Sequence, residues 1–370
     1  MQLINEMSEL ATIPVFDLRE CGVVGHTLSA PESARTLRED CLSWLSPAAR
    51  GLVPALDAVT RRWIEHSRSP YLAEIRAIAN GVGLPGIWFL NGSYQWGCTA
   101  AARDENGAPW LVRTLDWPFP GLGRHLAVMR MRGPAGEFLN VSWVGYAGVL
   151  TAVAPRRFAA AINQAPLRRR THAPWLRPFD IAANALHTWS VRFCPPDHLL
   201  RHVFETCENF AEARRKLETE PVARPVIFTL TGCQSGERCV IERTEEGYAT
   251  RVDDTAAAND WLDGSDCWEA RINTTHLLTR TYQEARERSR LRREALVDWP
   301  HPFAEGGFAW LTPPVLNVFT RLAVEMSPQT GTLRAIGYEP YAGSGLPRPA
   351  THTRTITGAA PPELRPLAIS

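Results

Sequence analysis

Residues 71–119, YLAEIRAIANGVGLPGIWFLNGSYQWGCTAAARDENGAPWLVRTLDWPF, decide how this chain is organised. Their first part has helical period: Leu72, Ile75 and Ile78 fall on one face, and Gly81, Gly83 and Pro85 stop the helix. The apolar, aromatic run WFLNGSYQWGC then leads to Cys98, where the pattern changes. CTAAARD and PWLVRTLDW read as strands, and Glu105-Asn106-Gly107 between them is a hairpin turn signal. A boundary between a helical N-terminal part and a β-rich remainder therefore falls at Gly97–Cys98.

The flanking sequence extends this division. Upstream, a short strand is expected around residues 13–18, a helix opens at Pro31-Glu32, and another opens at Ser46-Pro47 and runs towards His66. Downstream, LAVMRMR, EFLNVSWVGY and RRFAAAIN continue the strands. A helix from Pro178 to Trp189 carries Phe179, Ala182, Leu186 and Trp189 on one face. Further helices around 197–217 precede strands at PVIFTLTG, CVIERT and YATRVD. A charged helix is expected from Tyr282 to Val297, then strands at VFTRLAVEMS and TLRAIGYEP, then a Pro-rich tail after Gly345 that reads as loosely held. Strands in two clusters with helices grouped between them imply an α+β fold, sheet layers covered by helices.

Composition narrows the function. The 370 residues are 45% hydrophobic and 21% charged, an ordinary globular balance. Forty Lys+Arg against 39 Asp+Glu leave a net charge of +1, so nucleic acid is not an expected partner. Lys216 is the only lysine, a bias that points to a GC-rich, bacterial coding sequence. No run of about 18 apolar residues occurs, so no membrane span is expected. The first twenty residues lack the basic and apolar blocks of a signal peptide, so a cytoplasmic location is expected. The eight cysteines form no CxxC and no metal-ligand spacing, so neither a metal nor another cofactor is expected.

One thiol stands out. If Cys98 begins one strand and Arg113 ends its hairpin partner, the turn brings both together, with Asp116 three residues further on. A guanidinium there would lower the thiol pKa from its usual ~8.5 and orient the sulfur, and Asp116 would hold a cationic base. The same residues also fit a blander reading, a small buried hydrophobe beside a surface ion pair.

YLAEIRAIANGVGLPGIWFLNGSYQWGCTA and VRTLDWPF, followed in order by VSWVGYAGVLTAVAPRRFAAAIN, PVIFTLTGCQSGERCVIER, AANDWL and PPVLNVFTRLAVEMSPQTG, resemble the acid ceramidase and N-acylethanolamine acid amidase group. These are N-terminal-nucleophile cysteine hydrolases, related to choloylglycine hydrolase and isopenicillin N acyltransferase. The resemblance runs from about Tyr71 to Arg334. It implies a four-layer αββα sandwich and a precursor that cuts itself at Gly97–Cys98. Residues 1–97 would become a helical N-terminal fragment and 98–370 the catalytic domain, and the two would remain associated.

Carried over residue by residue, the resemblance makes Cys98 the nucleophile, Arg113 and Asp116 the pair that positions the new amino terminus, and Asn259 an oxyanion donor. Asn163 takes the strand-end position beside the site and Gln164 follows it, both as expected substrate-binding residues. Ser289-x-x-Arg292 resembles the acyltransferase branch, which selects Arg292 as a further site residue from a dense arginine run. Trp117, Phe119 and Tyr146 are the expected substrate-binding aromatics, with Trp96, Trp143 and Trp175 as other candidates; packing into the core is the competing reading for all six.

The implied reaction is hydrolysis of a linear, non-peptide N-acyl amide. Acyl transfer to an amine is the alternative, and a non-catalytic ligand-binding relative a third reading. Two departures limit the transfer. Gln164 stands where lysosomal members carry glutamate, so maturation and activity near neutral pH are expected. An apparent insertion between Asn259 and the arginine run is expected to reshape the pocket rim.

Overall fold

The computed structural model describes residues 10–92, 97–253, 255–264, 266–270, 281–341 and 345–358. After a short strand, β1 (Val15–Asp17), the N-terminal part is helical: α1 (Gly22–Ser29), α2 (Pro31–Leu42), α3 (Pro47–Gly51), α4 (Val53–His66), α5 (Leu72–Val82) and α6 (Ile87–Gly92). The single helix expected from Ser46 to His66 is in fact two. Ser46 caps the first, its Oγ accepting from the Ala49 amide, but Pro54 has no N–H to continue the ladder, and the chain restarts there as α4. α5 buries Ile75, Ile78 and Val82 and ends at Gly83 in the left-handed region (φ 71°). Trp96, with residues 93–95, lies outside the described residues.

The hairpin forms as the sequence predicts. β2 (Gly97–Glu105) and β3 (Ala108–Asp116) pair antiparallel through Asn106 (φ 52°) and Gly107 (φ 80°), both in the left-handed conformation of a two-residue turn. The chain continues with β4 (Ala127–Gly133), β5 (Gly136–Ser142), β6 (Thr151–Ala154), β7 (Phe158–Gln164) and β8 (Leu167–Arg168). Three helices follow, α7 (Arg177–Ser190), α8 (Pro196–Thr206) and α9 (Phe210–Thr219). Next come β9 (Val226–Thr231), β10 (Arg238–Arg243), β11 (Tyr248–Arg251), β12 (Ala256–Ala257) and β13 (Trp268–Glu269). The charged helix, α10 (Tyr282–Val297), opens with a Thr281/Glu284 capping box. The last strands are β14 (Thr320–Ser327), β15 (Thr332–Glu339), β16 (Arg348–Pro349) and β17 (Arg354–Ile356).

Two main sheets result, in a mixed α+β fold. One has the order β1-β4-β5-β6-β7-β9-β10-β11; the other runs β12-β2-β3-β14-β15-β16, with β17 also on β15. β2, β3 and β14 contact β7 and β9 across the gap between the sheets. Alternation along β3 sorts its side chains: Leu111 and Leu115 join the core shared with Phe228 and Met326, whereas Trp110 and Val112 join a second core with Leu296 and Trp310. Among the described residues no helix is long and apolar enough to cross a membrane.

One helix packs by its polar side, and one expectation is corrected. α7 forms where expected, and the face with Phe179, Ala182, Leu186 and Trp189 is exposed, Leu186 at 72%. Its polar face holds it down instead. Arg177 pairs with Glu269 at 2.5 Å, Asp180 accepts from the Arg170 amide and the Thr171 hydroxyl, and Asn184 donates to the Arg168 carbonyl. The tail is not loose as far as Gly358, because β16 and β17 pair with β15 and the buried Thr351 hydroxyl accepts from the Gly337 amide.

Candidate active site

The hairpin register builds the centre of the site. Cys98 stands opposite Leu115 and Ala100 opposite Arg113, so Cys98 and Arg113 share the face turned towards the eight-stranded sheet. Arg113 Nη2 reaches back to the Cys98 Sγ at 3.3 Å and forward to the Ile162 carbonyl on β7 at 2.8 Å. Gly97 stands opposite Asp116, and Thr99 opposite Thr114, which puts Thr99 and Asp116 on the other face, under α10. The thiol and the carboxylate thus flank the strand end from opposite sides.

α10 delivers Arg292. Its Nη1 donates to the Cys98 carbonyl (2.9 Å), Thr99 Oγ1 (3.1 Å) and Asp116 Oδ2 (3.4 Å), and its Nη2 donates to Asn259 Oδ1 (2.9 Å). Ser289, one turn earlier on the same face, accepts from the Asn259 amide at 2.9 Å. Of the arginines in that run, Arg286 faces Asp260 and Arg290 pairs with Glu287 and Glu294 on the surface, so Arg292 is the one that reaches the cluster. Asn259 Oδ1 also accepts from the Cys98 amide at 2.8 Å, while its Nδ2 donates to the Gln164 carbonyl at 2.8 Å.

Burial dominates the electrostatics. Cys98, Arg113 and Asn259 are fully buried, with Asp116 and Arg292 nearly so. Desolvation pushes the Cys98 thiol up, against the attraction of Arg113 and Arg292 and a hydrogen bond from the Gln164 backbone. It likewise raises the Asp116 carboxyl, opposed by Arg292, Asn317 and Thr320, and lowers both guanidinium groups.

The remaining candidates divide. Trp117 and Phe119 line an apolar cavity of about 70 Å³ with Leu37, Ile87, Leu90 and Leu122, so both sides of residue 97 contribute to it. Gln164 and Ile162 line a more polar cavity of about 240 Å³, whose wall includes Trp63, Asn184 and Arg224. Asn163 is buried and donates to the Ala257 and Ala258 carbonyls, holding the strand that leads to Asn259. Tyr146 lines neither cavity; its hydroxyl donates to Asp197 at 2.6 Å. Residues 271–280, the middle of the apparent insertion, lie outside the described residues. Sequence reasoning missed Asn317 and Thr320, which hold the two oxygens of Asp116. Asn317 stands in the quoted PPVLNVFTRL stretch, but nothing local marks it as facing a carboxylate.

Comparison with known proteins adds homology. No family model matches the chain. It is 26% identical over 187 residues to an N-acylethanolamine-hydrolyzing acid amidase of Oryctolagus cuniculus, covering 49% of each chain. It is 31% identical over 194 residues to the acid ceramidase of Mus musculus, covering 47% of each. The chain spans about half the length of the curated relatives it matches. Among solved structures, a Caenorhabditis elegans N-acylethanolamine-hydrolyzing acid amidase ortholog aligns over 63% of this chain and 93% of its own, at 16% identity and TM-score 0.46. A mutant conjugated bile acid hydrolase from Clostridium perfringens aligns over 70% and 96%, at 10% identity and TM-score 0.38. The chain is thus a distant homologue of N-acylethanolamine-hydrolyzing acid amidase and acid ceramidase.

Proposed function

We propose, from this homology and the geometry around Cys98, that the protein is a self-processing cysteine amidase acting on linear N-acyl amides, small molecules rather than peptides. The observation that carries the reading is the setting of one residue. The Cys98 amide lies on Asn259, its sulfur on Arg113, and its carbonyl on Arg292, at the first turn into a buried strand. The facing of β2 and β3 on β7 and β9 supports arranging the two sheets as the inner layers of an αββα sandwich.

In the precursor, the Cys98 sulfur attacks the Gly97 carbonyl carbon. A C–S bond forms, the Gly97–Cys98 C–N bond breaks, and the nitrogen takes the thiol proton. Water then hydrolyses the thioester, leaving a carboxylate on Gly97 and a free thiol and amine on Cys98. The α-amine, with an ordinary pKa of about 7.7–8.0, now serves as base for its own thiol. Asp116 and Arg292 fix that end of the strand, Asn259 and the Gln164 amide stabilise charge on the substrate oxygen, and water releases the acyl group from Cys98. No histidine is required. Residues 1–97 and 98–370 stay together through contacts that cross the cut, such as Arg201 on Glu74.

The apolar lining at Trp117 and Phe119 matches the chemistry of an acyl chain, and the more polar lining at Gln164 that of the rest of the amide. With an amide at 164 in place of a carboxylate, turnover is expected near neutral pH. The test is release of free amine from a linear N-acyl amide at neutral pH: the wild-type chain should turn over and Cys98→Ala should not. Equal release by both would sink the reading. A competing amine added to the same assay separates hydrolysis from acyl transfer by the ratio of acid to new amide.

A further inference from the structure

We propose that Asn317 and Thr320 are positioning residues that hold Asp116 as an ionised carboxylate, an inference that rests on the amidase reading of the Cys98 cluster. The register of β14 on β3 sets this up. Thr320 stands opposite Asp116 and Leu322 opposite Leu115, so Arg321 is the extra residue of a bulge. Bulges re-aim side chains at the end of a ladder, and here the effect is to turn the Thr320 hydroxyl onto the carboxyl group.

The proton positions in this cradle are not free choices. Thr320 Oγ1 accepts from the Asn317 amide at 3.0 Å, so its single proton is left for Asp116 Oδ1 at 2.9 Å. Asn317 Oδ1 accepts from the Phe319 amide at 3.1 Å, which turns Nδ2 towards Asp116 Oδ2 at 2.7 Å. Each carboxyl oxygen therefore receives a donor whose orientation is fixed by a backbone N–H. Two oxygens that both accept suit the charged form; protonation would turn one of them into a hydroxyl oxygen, a weaker acceptor for its donor.

Arg321 stiffens the frame. Its guanidinium is nearly fully buried and donates to the carbonyls of Pro118 and Phe119 after β3, of Val318 before β14 and of Thr320 at its start. It thereby ties the loop after Asp116 to the loop that carries Asn317 and Thr320. The charged and titratable groups facing Asp116 are Arg292 from α10, Arg113 on its own strand, Arg321 from the bulge and the Cys98 thiol from β2. Burial works against ionisation of Asp116, and the two donors work for it.

The test pairs Thr320→Val, which keeps the shape and removes the hydroxyl, with Thr320→Ser, which keeps the hydroxyl. The Asp116 carboxyl is titrated by carbon-13 NMR in the full-length Cys98→Ala chain, its signal assigned by loss in Asp116→Asn. Thr320→Val should raise the titration midpoint by about one pH unit, the size of one hydrogen bond to a charged group, and Thr320→Ser should leave it near the parent. In the chain that retains Cys98, the acid limb of self-cleavage should move up with it. Asn317→Ala, at a half-buried loop position, gives the same direction if Thr320→Val does not fold. An unmoved midpoint in the Val and Ala variants, or a Ser variant as shifted as Val, overturns the proposal. A shifted midpoint with no self-cleavage in any chain, wild type included, supports the positioning of Asp116 and removes the amidase reading.

Discussion

Two of the clusters of buried ionisable groups among the described residues are built to opposite ends. One is the Cys98 cluster. The other joins the N-terminal helices to the rest of the chain. There Arg201 donates to both oxygens of Glu74 (2.8 and 3.0 Å), to Glu205 (2.9 Å) and to the Ala147 carbonyl (2.9 Å), and it lies over the Tyr71 ring, whose hydroxyl donates to Glu205. Ser69 bonds the His198 ring, Tyr146 bonds Asp197, and the Asn91 side chain bonds Gly145 and Ala147. In this second cluster every nitrogen of the Arg201 guanidinium donates to a fixed protein partner, while His198 Nε2 has none among the described residues. In the first, Arg113 keeps Nε and Nη1 buried with no hydrogen-bond partner among the described residues, beside a sulfur. Cross-linking explains the second arrangement. A guanidinium left partly unpartnered next to a thiol has no such use, and it is the costlier of the two to bury.

The comparison is broken or sharpened most strongly at Arg201. Arg201→Met leaves the partly buried Glu205 with the Tyr71 hydroxyl alone of the partners described above and is expected to cost about 1.5–3 kcal/mol of stability, read from denaturant unfolding, while the folded fraction still matures. Unchanged stability would show that the second cluster does not hold the segments together. A smaller, pH-dependent effect follows from the two groups of this cluster that titrate at or below neutral pH. Burial raises the Asp197 carboxyl from 3.8 to about 7, so its contribution is full below about 4 and is lost as pH rises towards 7. Burial lowers the His198 imidazole from 6.5 to about 3, so its contribution is full above about 6.5 and is lost as pH falls towards 3. Between about pH 4 and 6.5 the two slopes oppose each other and the pair should be nearly flat. Asp197→Asn should uncover a slope rising with pH, and His198→Gln a falling one, each about 1.4 kcal/mol per pH unit in a pH series of unfolding curves.

How much was legible in advance follows from how far apart the parts of each feature lie. Cys98, Arg113 and Asp116 sit within one hairpin, so a turn signal at Asn106-Gly107 and the two-residue alternation bring them together. Asn259 and Arg292 reach the same point from other elements, and only the family resemblance singled them out. Asn317 and Thr320 were not found, because a bulge at Arg321 sets their aim and a bulge leaves no periodic trace. The orientation of α7 was not legible, for a different reason. Periodicity identifies an apolar stripe but not which face the rest of the chain covers, and the partners of Arg177, Asp180 and Asn184 decided that in favour of the polar side.

The account stands on liberation of the Cys98 amine, and intact mass of the purified full-length chain under denaturing conditions tests that most directly. Two polypeptides matching residues 1–97 and 98–370 are expected from the wild type, and one uncut chain from Cys98→Ala. A wild-type chain that remains whole while turning over an N-acyl amide would contradict it.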